Sequence, residues 1–409
     1  MHFKRSRFSS AFGFVSEHLM NLLKPQAAIK VKMKFSDIPG HQHVKESLTR
    51  LADSDRIPHA IMLCGPSGIG KMAVARAFSN YVHCRNRRNG EPCGECPDCL
   101  QHKNFNHPDV HFSYPIVKSE KLKRYVSADE IDHWKEMLRK YPSMPLERWL
   151  EIIEAGNAQP VIHVDEAEYI IRHESFAPFS SKYKFFIIWL PERLRPEAAN
   201  GLLKVIEEPT EGTVFILVSD EEDKVLPTIS SRTQRFNMGT LTPEDIAGYL
   251  RNRYGVSEYE APDLARICGG LISRADELGQ HSGENREFES LFREIMRASY
   301  GKKLGLLRTI GDKAASFGRE KLIRFMRYMG RMVRENFIYN MRMPMLQTMT
   351  RDEDEFAKRF SPFINHCNVE AIMHQIERAE IDIARNANAK VVLFDFFLLL
   401  IPQLHKKAT

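Results

Sequence analysis

With 409 residues, 43% apolar content and ordinary glycine and proline, the sequence is too long for one small domain and too apolar for a disordered chain. Its net charge of +6 is mild at this length and by itself argues neither for nor against a nucleic-acid or acidic partner. The longest apolar run, Val391 to Ile401, is interrupted by Asp395 and too short to span a bilayer, and no secretory signal is legible. The expectation is a protein of the reducing cytoplasm with no membrane partner.

Residues 1–32 carry a basic start (Lys4, Arg5, Arg7) and a short amphipathic piece, and read as a disordered extension or a start site placed too early. From Met33 to about Met238, short β-rich apolar runs alternate with amphipathic stretches. Ala60–Cys64, Phe185–Leu190 and Thr213–Ser219 read as buried parallel strands with helices between them, an α/β domain over 33–238.

Gly65-Pro66-Ser67-Gly68-Ile69-Gly70-Lys71-Met72 stands between the first strand and a helix over Ala73–Tyr81. Glycines there let the backbone curl so that its N–H groups face a phosphate, the helix N-terminus adds its dipole, and the lysine reaches the outer phosphates. This is a P-loop with one defect. The eighth position, where a hydroxyl should ligate Mg²⁺, holds the thioether of Met72. ATP or ADP without magnesium, sulfate, or nothing all remain open as occupants.

Cys84, Cys93, Cys96 and Cys99 follow at C-x8-C-x2-C-x2-C spacing, with Pro92, Gly94 and Pro97 in the turns. Two-residue gaps let thiolates converge on one ion, and four ligands with no open position make a structural zinc site over 84–99. An iron–sulfur cluster takes the same four thiolates. Cys64, Cys268 and Cys367 read as buried thiols.

About 113–159 has no assigned role; the family resemblance described below makes it an insertion. Val161-Ile162-His163-Val164-Asp165-Glu166-Ala167 then resembles an apolar strand ending in an acidic pair. Such a strand would supply a magnesium anchor and with it ATPase activity. The strand over Phe185–Leu190 occupies the expected place for that element, directly ahead of a helix over Leu194–Glu208, and its end carries Trp189 and Leu190 instead of acids. Hydrolysis is therefore expected to fail.

After Thr240 the strand signal ends. Thr242-Pro243-Glu244-Asp245 is a helix start, and a small helical unit over 239–282 precedes an all-helical region over 283–409. In that region Leu322, Phe325, Met326, Met329, Met332, Val333 and Phe337 recur at helical spacing, with Arg324, Arg327, Arg331 and Arg334 on the other face. The arginine stripe reads as a solvated face rather than a DNA track.

These residues resemble the bacterial clamp-loader family. A P-loop followed by four cysteines is similar to the gamma/tau and delta-prime subunits. So are Pro196-Glu197-Ala198-Ala199-Asn200-Gly201-Leu202-Leu203-Lys204 with Glu207-Glu208-Pro209, Leu226-Pro227-Thr228-Ile229-Ser230-Ser231-Arg232, Phe35 to His59, and Arg385-Asn386-Ala387-Asn388. The resemblance implies an AAA+ P-loop domain, then a helical lid (239–282) and an all-α collar (283–409). Met72, Trp189 and Leu190 depart from gamma/tau and point to the delta-prime type.

What the resemblance then implies is a non-hydrolysing subunit of the DNA polymerase III holoenzyme. Arg232 would be an arginine finger in trans, with Thr233 in place of the family cysteine; an arginine that caps an element within its own chain is the alternative. The implied partners are gamma/tau and delta subunits in a hetero-oligomeric ring, with the β sliding clamp and primer–template DNA reached through the complex. Two other readings stand beside this one. One is an active AAA+ ATPase using Asp165 and Glu166, and the other a zinc-containing DNA-binding protein with a relic P-loop.

Overall fold

The run Ala-Ile-Met-Leu-Cys is apolar on both faces, so it satisfies its backbone and buries both sets of side chains only as an interior strand. It does so as β1 (Ala60–Cys64), every residue buried, hydrogen-bonded on both edges in a five-stranded parallel sheet of order β2-β3-β4-β1-β5. The other strands are β2 (Val110–Ser113), β3 (Lys184–Trp189), β4 (Thr213–Ser219) and β5 (Gln234–Asn237). β1 pairs with β4 in the register Met62↔Leu217 and Cys64↔Ser219, which sets the ends of these two strands side by side. The computed structural model describes residues 34–117, 125–156, 158–280, 282–343 and 346–407; the extension over 1–32 lies outside them.

The helices of the first unit are α1 (Gln42–Asp53), α2 (Lys71–His83), α3 (Pro97–Lys103), α4 (Ile131–Lys140), α5 (Leu146–Ile152), α6 (Val164–Glu174), α7 (Pro196–Glu207) and the single turn α8 (Pro227–Ser230). One sheet face, with Met62, Phe186, Ile188, Phe215 and Leu217, packs against Ala167 and Ile170 of α6 and Ala198, Leu202 and Ile206 of α7. The opposite face meets α2, where Phe78 sets its ring edge-on to Phe185 at 6.0 Å. Lys184 is a buried lysine inside a buried strand. Its ammonium donates to the carbonyls of His173, Glu174 and Phe176 and so caps the C-terminus of α6.

His111 on β2 stacks on Phe186, with ring centroids 4.8 Å apart. Burial first, and then the neighbouring His173 and Lys184, push its pKa down to about 4. The unfolded chain, with an ordinary histidine pKa of about 6.5, therefore takes up the proton first as pH falls. Stability carried by this group is complete above about pH 6.5 and is lost progressively toward pH 4, by on the order of 3 kcal/mol. Urea titrations at pH 7 and pH 5 should show His111→Phe losing less stability on acidification than the parent chain.

The second compact unit, Leu241–Thr409, is all helical among its described residues. It comprises α9 (Pro243–Tyr254), α10 (Ala261–Cys268), α11 (Ile272–Gln280), α12 (Ser282–Tyr300), α13 (Leu304–Ala315), α14 (Arg319–Asn340), α15 (Arg351–Phe360), α16 (Val369–Ala384) and α17 (Ala389–Leu404). Thr242 caps α9 by accepting from the Asp245 N–H at 3.2 Å. Leu322, Phe325, Met326, Met329, Met332 and Val333 of α14 enter the core that α12, α13, α16 and α17 complete.

The arginines of α14 are ion-paired: Arg324 with Glu284, Arg327 with Glu380, Arg334 with Glu335 and Arg331 with Glu353. Arg331 departs from the expectation of a solvated face. Its partner Glu353 is buried, which leaves Arg331 only partly exposed, and Tyr328 shares the same carboxylate. Cys367 is likewise not a buried thiol. It is exposed in a turn closed by its own N–H on the Asn365 side-chain oxygen at 2.9 Å, which holds the residue outside a helix. Among the described residues no helix is long and apolar enough to cross a membrane.

Candidate functional site

The phosphate loop sits where β1 ends and α2 begins, with α2 starting two residues earlier than expected, at Lys71. Gly65, Gly68 and Gly70 all adopt positive φ. At Gly65 (φ +148) a Cβ would come within 2.0 Å of the Met238 carbonyl oxygen, so only glycine fits. His41 Nε2 lies 3.0 Å from the Ile69 carbonyl and holds the loop from outside. Pro66 and Ser67 are exposed; Ile69 and Met72 are buried.

Lys71 is only 4% exposed. Its ammonium donates to the carbonyls of Gly65 (2.6 Å) and Pro66 and pairs with Asp220 at 2.8 Å. Burial lowers its pKa, and the charge of Asp220 opposes that shift. The fit to a phosphate group is therefore partial: the glycine curl, the lysine and the helix start are in place, while a carboxylate already sits on the lysine.

At the end of β3 the chain turns sharply, with Leu190 in the left-handed region at φ 56. The turn carries Glu192 across the sheet edge, where its carboxylate accepts from Ser219 Oγ (3.0 Å) and from the N–H groups of Asp220 (2.9 Å) and Glu221 (3.2 Å). Burial raises the Glu192 pKa. Trp189 and Leu190, which occupy the expected acid positions, are both buried.

Trp189 is buried by the insertion. Trp134 of α4 and Trp149 of α5 lie 5.4 Å and 6.4 Å from it, Tyr114 stacks on Trp134 at 3.9 Å, and Trp149 Nε1 donates to the Pro115 carbonyl. The insertion, which sequence reasoning left without a role, packs its aromatic core onto the strand end that lacks its acids. Trp134→Ala should cost about 3–5 kcal/mol, because it empties the centre of this cluster. Chemical denaturation read by tryptophan emission measures that loss.

Asp165 and Glu166 are not at a strand end. Val161 and Ile162 make only isolated bridges, and α6 begins at Val164, which puts both acids in its first turn. There Asp165 accepts from the Tyr125 N–H (3.0 Å) and Glu166 from the Ser127 N–H (2.6 Å), so both carboxylates tie down the insertion. Burial raises the Glu166 pKa to about 7.

The four cysteines are brought together. Cys84 ends α2, Cys96 precedes α3, Cys99 lies within α3, and the four sulfurs all fall within 4.8 Å of one another. Backbone N–H groups point at sulfurs: Cys93 to Cys84, Cys96 to Cys93 and Gly94 to Cys99, at 3.2–3.4 Å. The Glu95 N–H, ahead of other contacts, draws the Cys93 pKa down to about 6. Four sulfurs with amide donors around them can hold a metal ion as thiolates.

Beside them is a buried trio that sequence reasoning missed: His83, His102 and His107. His83 Nε2 donates to the Tyr183 carbonyl, which leaves Nδ1 to accept from His102 Nε2 at 2.9 Å. His83 and His107 stack with centroids 4.1 Å apart and planes 20° apart. Burial, ahead of other causes, holds the pKa of all three rings below the ordinary histidine value. The trio therefore serves as neutral packing between the cysteine module and the sheet. Its only sequence signal was His83 next to Cys84 and His102 three residues after Cys99.

Arg232 lies just beyond α8. Its guanidinium donates to Glu207 at 2.9 Å and to the Thr228 carbonyl at 2.8 Å, and the side chain is about one-third exposed.

A parallel sheet with a glycine loop and lysine between β1 and α2 defines a P-loop protein of the AAA+ type. Residues 40–242 match the family described as "DNA polymerase III, delta subunit". The chain is 26% identical over 279 residues to the DNA polymerase III subunit gamma/tau of Mycobacterium tuberculosis, covering 67% of this chain and 40% of the relative. It is 30% identical over 217 residues to subunit tau of Bacillus subtilis (53% of this chain, 31% of the relative). Subunit delta′ of B. subtilis is 25% identical over 245 residues, 60% of each chain. The chain thus spans between about a third and three-fifths of these relatives' lengths. Among solved structures, a gamma subunit-related protein of Thermotoga maritima aligns at TM-score 0.37 and 14% identity over 88% of this chain and 99% of its own. The B. subtilis clamp loader delta protein aligns at 0.38 and 10% over 88% and 100%. Over residues 40–242 the chain is thus of the DNA polymerase III clamp-loader family.

Proposed function

We propose that this chain is a delta-prime-type subunit of the clamp loader, a subunit that keeps the P-loop fold without hydrolysing ATP. The observation that carries the reading is the end of β3, where buried Trp189 and Leu190 stand in place of an acidic pair while Met72 replaces the loop hydroxyl. Neither an indole nor a thioether anchors magnesium. The other acidic pair, Asp165 and Glu166, is committed to backbone N–H groups of the insertion.

In this reading the cysteine module holds a structural zinc ion, and the chain joins gamma/tau and delta subunits in the cytoplasm. Through the complex it reaches the β sliding clamp and primer–template DNA. Over 241–409, the lid is α9–α11 and the collar α12–α17. Support for collar assembly comes from α17, which buries Leu393, Phe397 and Leu400 yet leaves Val391, Leu398 and Leu399 exposed. A helix apolar on both sides is built for a second partner. Arg232 would leave Glu207 to reach a neighbouring ATP site.

Purified chain with Mg·ATP and primed DNA tests the core of this reading. No turnover above a Lys71→Ala control is expected, and turnover that the control abolishes would overturn it.

A further inference from the structure

We propose that Asp220 occupies the anion position of the phosphate loop, so that the loop is neutralised from within and takes up a polyphosphate only when this carboxylate gives way. An ammonium has three protons to donate. Those of Lys71 are met by the carbonyls of Gly65 and Pro66 and by Asp220 Oδ1 at 2.8 Å. None is left pointing outward from a side chain already 4% exposed.

The placement of Asp220 follows from the sheet. β4 is hydrogen-bonded to β1 with Cys64 opposite Ser219, so the residue after Ser219 emerges beside the residue after Cys64, where the loop starts. Its backbone is fixed there, because the Asp220 N–H is bound by the Glu192 carboxylate at 2.9 Å. Glu192 also acts on Lys71 through its charge, and Glu222 lies against the Cys64 thiol at the base of the loop. Phosphates entering the curl would thus meet carboxylates at the strand ends, and the lysine's charge is already answered. Like charges in a partly desolvated site repel far more than in water. The site keeps the shape of a phosphate cradle while its electrostatics oppose a phosphate.

This deepens the non-hydrolysing reading and rests on it for the missing metal ligands. The test is equilibrium binding of ATP and of ADP, each with and without magnesium, to the full chain, to Asp220→Asn and to Asp220→Asn/Lys71→Met. Asp220→Ala is run beside them in case the asparagine variant folds poorly, and the Tm of each is recorded. Asp220→Asn should bind ADP at least roughly 10-fold tighter than the parent in the absence of magnesium, since it removes a charge and keeps the shape. The double variant should lose that gain. Unchanged affinity in both single variants overturns the proposal and leaves the non-hydrolysing reading intact. Magnesium-dependent ATP binding that weakens in Asp220→Asn would make Asp220 a metal ligand and overturn both.

Discussion

Cys96→Ser is expected to abolish metal binding by the chain and to lower the Tm of its first unit by on the order of 10 °C. The four sulfurs lie within 4.8 Å of one another in a segment whose only regular element is the seven-residue α3. So short a helix does not hold itself together in water. In the proposed reading a metal on Cys84, Cys93, Cys96 and Cys99 would fix it, together with the histidine packing underneath and the Arg85–Asp98 ion pair at 2.6 Å. Structural zinc contributes about 10–16 kcal/mol of apparent binding energy in peptides that fold only around it. In a domain with its own sheet core, a loss of about 4 kcal/mol is a reasonable fraction of that, which gives the shift in Tm. Elemental analysis should find about one zinc per parent chain and none in the variant, and X-ray absorption separates zinc in four sulfurs from an iron–sulfur cluster. Cys367→Ser, which changes an exposed thiol, should leave both readings alone.

If Arg232 is the proposed finger, Arg232→Ala is expected to slow hydrolysis at a neighbouring site of the ring by roughly 10³-fold or more, while leaving the isolated chain folded. In this unit the arginine holds only Glu207, which is itself half-exposed, and the Thr228 carbonyl. An ion pair this open to water contributes little stability, so in the proposed ring the arginine would exchange it readily for a phosphate of a partner subunit. Glu207→Ala serves as the contrast: it removes the tether and should leave hydrolysis in the reconstituted ring at or above the parent rate. Single-turnover assays on rings whose other ATP sites are disabled measure both. Full turnover with Arg232→Ala would return the residue to the role of a local cap.

Three of the five strands were legible because β1, β3 and β4 are continuous apolar runs. β2 and β5 were not, since Val110–Ser113 and Gln234–Asn237 are short, polar and at the sheet edges, where burial does not dictate composition. The P-loop and the cysteines were legible because their chemistry forces local spacing. Asp220 and Glu192 were not, for the opposite reason: only strand pairing brings them to Lys71, from about 150 and 120 residues away. The same holds for the insertion. Nothing in the spacing of Trp134 and Trp149 says that they bury Trp189. Asp165 and Glu166 imitated a strand end because two apolar residues before a helix cap look like one.

All three tryptophans of the chain, Trp134, Trp149 and Trp189, belong to a single packed cluster in the first unit. The second unit carries none, so its tyrosines and far-ultraviolet dichroism report its melting while tryptophan emission does not. Emission therefore reports on one location, the tip of β3 under the insertion. A ligand that disturbed that tip would announce itself optically with no label attached.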